Sequence, residues 1–224
     1  MTRFAAIVAH GQPGDPGPLQ ADLAQVAPLL PGLRVAGATL AMSESLTAIR
    51  GAGLIYPMFM ADGWFVRKEM PRRLAAAGVA DHAVLPPFGL DPALPELGAR
   101  LARQGAQDAG LDPARTVLVV AGHGSQVSRG SARSTNAFAG ALAPLAGFAR
   151  VECGFVEEEP FLADLRPGEH AICLPFFATN ASHVREDIPE AWARTGALGP
   201  VLPPLGLAPE IPALIAAALE RGMR

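Results

Sequence analysis

Apolar and polar positions follow two alternating rhythms along the chain. Short, continuous apolar runs rich in β-forming residues fall at about 4–9, 33–39, 53–58 and 82–86, and again at 116–121, 150–156, 170–176 and 199–202. Between them lie stretches such as PLQADLAQVAPLL and PRRLAAAG, whose apolar residues recur at helical spacing. Strands that are apolar throughout, separated by helices, predict a parallel sheet covered on both faces. Ligands of such sheets bind beyond the C-terminal ends of the strands, where loops leave crevices. His10, His123 and the segment leading to His183 all fall at such ends.

The pattern occurs twice. VLPPFGLDPALPELGARLARQG (84–105) and VLPPLGLAPEIPALIAAALERG (201–222) agree at half their positions without a gap. LIYPMFMADGWFVRKEMP (54–71) matches ICLPFFATNASHVREDIP (172–189), with the same 14-residue interval from Pro57 to Pro71 and from Pro175 to Pro189. FAAIVAHGQ (4–12) stands opposite VLVVAGHGS (117–125). Three blocks in one order at an offset of about 115 identify an internal duplication. The expectation is an α/β protein of two similar Rossmann-like parallel-sheet halves, residues 1–112 and 113–224.

Composition narrows the function. Half the residues are hydrophobic and 17% are charged, which excludes a disordered chain. A net charge of −3 argues against general nucleic-acid binding, so any acidic ligand must be met by local arginines. The two cysteines, Cys153 and Cys173, sit inside apolar runs without metal-ligand spacing and read as reduced core thiols. The start MTRFAAIVAHG does not fit a signal peptide, and no apolar run reaches the ~20 residues of a membrane span. A cytoplasmic protein that binds neither nucleic acid nor membrane is the expectation.

The chemistry lies at the strand ends. In AGHGS, Gly122 and Gly124 flank His123, so the backbone can turn sharply and present the imidazole. Ser125 is placed to cap a following helix. The turn lacks the Gly-x-Ser-x-Gly of a hydrolase elbow, the third glycine of a dinucleotide fingerprint and the Lys-Ser/Thr of a phosphate loop. His183 precedes a charged helical segment, where it serves either as a local cap or as a neutral base or metal ligand. The halves differ at the informative positions. Phe65 aligns with His183, and Ala41 of VAGATLAMSE (35–44) aligns with Glu157 of VECGFVEEEP (151–160). Only His10 persists in the first half. Trp64 and Phe65 either form an apolar wall for a ligand or pack the first-half core.

With the strand ending in His-Gly-Ser, the Phe-x-Glu-x-x-Pro element (Phe155, Glu157, Pro160) and Pro-Phe-Phe followed by His183 and Asp-Ile-Pro, the sequence resembles the sirohydrochlorin chelatases, small class II tetrapyrrole chelatases. The run Ala-Thr-Asn-Ala-Ser-His lacks the family's usual glycine before the histidine. The resemblance implies insertion of Co2+ or Fe2+ into sirohydrochlorin, in cobalamin or sirohaem synthesis, with no tightly bound cofactor. It implies one site served mainly by the second half. There His123, His183 and Glu157 bind the metal and take up pyrrole protons, chemistry to which neutral imidazole and carboxylate are suited. Ser125, Arg129, Arg133, Arg185 and His10 would meet the macrocycle and its carboxylates. A monomer or homodimer fits a duplicated chain. A non-catalytic tetrapyrrole or metal carrier on the same scaffold is the alternative.

Overall fold

The computed structural model describes residues 3–11, 17–126, 130–180 and 183–224, with only the backbone of Pro18 and His183. Two separate parallel sheets form among them. The first contains β1 (Arg3–Ala9), β2 (Leu33–Thr39), β3 (Leu54–Pro57) and β4 (Ala83–Val84), in the order β2-β1-β3-β4. The second contains β5 (Val117–Gly122), β6 (Arg150–Phe155) and β7 (Ala171–Pro175), in the order β6-β5-β7. In both sheets the first strand of the repeat is central, so the His-Gly turn that follows it emerges between its neighbours. The predicted α/β class and parallel pairing are observed.

One strand differs from expectation. The run at 199–202 forms only an isolated bridge, Cys173 with Val201. Pro200 and Pro203 flank that bridge and lack the N–H groups a longer ladder needs. Cys173 N–H donates to Pro200 C=O at 3.0 Å and Leu202 N–H to Cys173 C=O at 2.8 Å, and the pairing stops there.

Helices cover the sheets as continuous apolar strands require. In the first half these are α1 (Gly17–Ala24), α2 (Ser43–Ala48), α3 (Met70–Ala76) and α4 (Leu94–Asp108); in the second, α5 (Gly130–Ala146), α6 (Ile188–Arg194) and α7 (Ile211–Gly222). Ala6, Val8, Ile55, Met70 and Leu74 share one core, and Val119, Ala121, Cys173, Ile188 and Trp192 another. The alternation along β5 is visible: Val119 and Ala121 face α6, while Leu118 and Val120, also fully buried, face the other side.

The compact units cut the chain differently from the repeat. One comprises Met1–Asp91 with Pro209–Arg224, the other Pro92–Ala208. The last helix of each repeat packs in the unit of the other: α4 against α5 and β7, α7 against β3. The fit of α4 is close. A Cβ on Gly98 would lie 2.7 Å from the Phe138 ring, and one on Gly105 would lie 2.4 Å from Leu202. Within the first unit, Arg221 of α7 pairs with buried Asp91 at 2.8 Å.

The repeated Pro-Pro-x-Gly-Leu also acquires a physical reason. Gly89 N–H donates to Phe59 C=O at 2.9 Å, and Gly206 N–H to Phe177 C=O at 2.8 Å. A Cβ would stand 2.1 Å from Met60 O in one case and 2.2 Å from Ala178 O in the other. Only glycine lets this backbone brace the loop after β3 or β7. Among the described residues, no helix is long and apolar enough to cross a membrane.

Candidate functional site

The site in the second unit grows from two adjacent strand ends. β5 ends at Gly122 opposite Phe155 of β6, and the pairing continues past the strands. Val156 N–H donates to Gly122 C=O at 3.1 Å, and Glu157 N–H to His123 C=O at 2.9 Å. That backbone link brings His123 Nδ1 within 3.6 Å of Glu157 Oε2. The two side chains are 39% and 42% exposed, open enough for ions and protons to exchange with solvent.

The imidazole has a defined tautomer. His123 Nδ1 lies 2.9 Å from Gly124 C=O. A carbonyl only accepts, so in neutral His123 the proton sits on Nδ1 and the ring's lone pair on Nε2, the arrangement a metal ligand or proton acceptor needs. Gly124 makes the turn possible with φ +77°, and a Cβ there would lie 2.9 Å from Glu158 Cγ. Phe177, 9% exposed, flanks the ring with centroids 6.3 Å apart.

Glu158 belongs to this turn and was missed by sequence reasoning. Its carboxylate accepts the Ser125 N–H at 3.0 Å and so ties the His-Gly-Ser turn to the loop after β6. The only sequence signal is its place in the triplet Glu157-Glu158-Glu159, where consecutive carboxylates need not face the same way. This bond also engages the Ser125 N–H that sequence reasoning offers to a substrate anion. Ser131 Oγ accepts the Gly124 N–H at 3.2 Å and holds the turn from α5.

The other expected residues are distributed as follows. His183 opens a five-residue π-helical turn, His183–Asp187, just before α6; its side chain lies outside the described residues. Arg185 in that turn and Arg133 on α5 are exposed. Arg129 lies outside the described residues. Among the described residues, no three His, Cys, Asp or Glu side chains are grouped closely enough to hold a metal, so His123 and Glu157 stand as a pair. Burial raises the thiol pKa of Cys173, and burial followed by the Glu152 charge pushes Cys153 up to about 11, which fits core thiols.

The first unit repeats the scaffold without the carboxylate. Ala41 N–H donates to His10 C=O at 2.9 Å, as Glu157 does to His123, so Ala41 and Glu157 are equivalent in space as well as in sequence. His10 Nδ1 lies 2.8 Å from Gly11 C=O, which fixes the same tautomer. Phe65 opens a π-helical turn, Phe65–Glu69, as His183 does. Its ring meets His10 edge to face at 4.7 Å.

Known proteins resemble this chain at several distances. The CbiX family model matches residues 117–221. A solved structure described as CbiX, the terminal enzyme for biosynthesis of siroheme in denitrifying bacteria, is 49% identical, with TM-score 0.91 over 99% of this chain and 100% of the other. A probable sirohydrochlorin cobaltochelatase of Halobacterium salinarum is 24% identical over 61% of this chain; the match spans 55% of that relative's length. SirB from Bacillus subtilis, solved with Fe3+, shares the fold at TM-score 0.74 and 14% identity, covering 99% of this chain and 95% of SirB.

Proposed function

The chain belongs to the sirohydrochlorin chelatase (CbiX) family, and from that membership we propose that it inserts a divalent ion, Co2+ or Fe2+, into a sirohydrochlorin-type macrocycle. The observation that carries the reading is the pairing of His123, its tautomer set by Gly124, with Glu157 on the neighbouring strand end. Sirohaem synthesis is the role described for the 49% identical relative, and cobalt insertion the one described for the archaeal relative.

Metallation exchanges one M2+ for two pyrrole protons, so charge balances without an oxidant or reductant. His123 offers its Nε2 lone pair to the incoming ion. Glu157 completes a partial, open coordination set with an anionic oxygen, and His183 adds a second imidazole. Three weak donors suit an ion that must leave, because a closed tetrahedral cage would retain it. As the ion passes to the macrocycle, the vacated imidazole and carboxylate take up the pyrrole protons and release them to water. Arg133 and Arg185, with Arg129, meet carboxylates at the macrocycle rim.

The test is an anaerobic incubation with sirohydrochlorin and Co2+, Fe2+ or Ni2+, followed by absorption. Enzyme-dependent metallation is expected. A macrocycle spectrum shifted by binding but never metallated would make the protein a carrier. No spectral response at all would refute both readings.

A further inference from the structure

In the first unit, the strand-end region equivalent to the metal-facing site is built of aromatic rings. Trp64 is 57% exposed and Phe65 40% exposed, which excludes the core-packing role for either. They meet edge to face at 5.1 Å with planes 78° apart, and half-buried Phe59 stacks on Phe65 at 6.2 Å with planes 19° apart. His10 abuts the same ring. This surface cannot assemble a metal set like that of the second unit: Ala41 stands where Glu157 stands, and Phe65 where His183 stands. Its rim is basic. Arg67 and Lys68 follow within one turn of Trp64 and Phe65 and are exposed; Arg67 also contacts Asp62 at 2.7 Å.

From these features we propose that Trp64 and Phe65, backed by Phe59 and His10, form an aromatic docking surface for an anionic tetrapyrrole, whose carboxylates meet Arg67 and Lys68. The occupant follows from complementarity. Exposed aromatic surface bordered by cations matches an apolar macrocycle bordered by carboxylates. A metal ion would find one imidazole there. His10 presents its lone-pair nitrogen, not a proton, because Gly11 C=O fixes its tautomer. It can therefore accept a hydrogen bond from a pyrrole N–H.

The proposal rests on the chelatase reading, and one set of titrations separates the two. Metal-free sirohydrochlorin is titrated anaerobically by absorption into the wild-type protein, Trp64→Ala, the double variant Trp64→Ala/Phe65→Ala, and Arg67→Gln/Lys68→Gln. Co2+ binding is measured in parallel. Trp64→Ala should weaken macrocycle binding several-fold and the double variant at least ten-fold. The basic-rim variant should weaken it in low salt, with the difference shrinking as salt rises. Co2+ affinity should not change in any of them. Wild-type macrocycle affinity in both aromatic variants would overturn the platform and leave the chelatase reading standing. Co2+ is then added to the wild-type complex: a bound macrocycle that is never metallated would sink the chelatase reading, while the variants still judge the platform. A wild-type protein that binds no sirohydrochlorin would overturn both.

Discussion

The main-chain N–H of Glu157 donates to the carbonyl of His123 at 2.9 Å, and their side chains approach to 3.6 Å. The relationship lies in the backbone first, so either side chain can be altered without dismantling the turn. Replacing His123 by Ala should lower the metallation rate by about 100-fold or more, and His183→Ala should act in the same direction. Glu157→Gln keeps the shape and removes the charge; a loss of about 10- to 100-fold is expected. Anaerobic initial rates with Co2+ decide, and near-normal rates in both histidine variants would remove the proposed mechanism.

Glu158 orients the turn through the Ser125 N–H and is not placed as a ligand. Glu158→Ala should therefore reduce the rate while Co2+ stoichiometry is retained, and Glu158→Gln, which can still accept through its amide oxygen, should recover much of it. Equal loss in both variants would show that the charge matters more than the bond.

Two glycines should respond with opposite signs. Gly124→Ala forces a side chain onto φ +77°, with its Cβ 2.9 Å from Glu158 Cγ. It should cost about 1–2 kcal/mol of stability as well as activity. Gly140 lies in α5 with no atom within 4 Å of an added Cβ, and Gly140→Ala should stabilise by roughly 0.5–1 kcal/mol. Urea denaturation compares them.

Arg221→Ala removes an ion-pair partner of Asp91, whose side chain is 5% exposed. Burying that carboxylate without the guanidinium should cost roughly 1–3 kcal/mol, discounted from a fully buried pair because Arg221 is half exposed. Loosening of α7 should accompany it, read as faster amide exchange over Ile211–Gly222.

Acid should act through Glu69. Hydrogen bonds from Arg72, then Arg73, hold its carboxyl at about 2 instead of 4.5. A folded-state pKa below the unfolded one adds stability that is fully present above pH about 4.5 and is lost as pH falls toward about 2. Glu69→Gln should flatten the fall in Tm across that window and leave its slope near neutrality unchanged.

Much of this architecture could be read from the chain. Residues 33–39 are expected as a strand and form β2 over those same residues, because a short, largely apolar run bounded by Pro31-Gly32 has few alternatives. The alignment of Glu157 with Ala41 was also legible: identical strand lengths after a shared valine preserve the register that places both beside a His-Gly turn. Glu158 was not legible. Its role depends on which way one of three adjacent carboxylates turns, and that is set by a donor 33 residues away in sequence.

By itself, then, the sequence determined the two-fold repeat, the parallel sheets and the strand-end location of the histidines, because hydrophobic period and proline spacing are local properties of the chain. Tertiary structure alone decided which sheet each terminal helix covers. The apolar faces of α4 and α7 are too alike for pattern to assign them, and contacts such as Gly98 with Phe138 settle it. It also decided that Trp64 and Phe65 lie at the surface, since an aromatic pair in an apolar stretch reads the same in sequence whether it is buried or exposed.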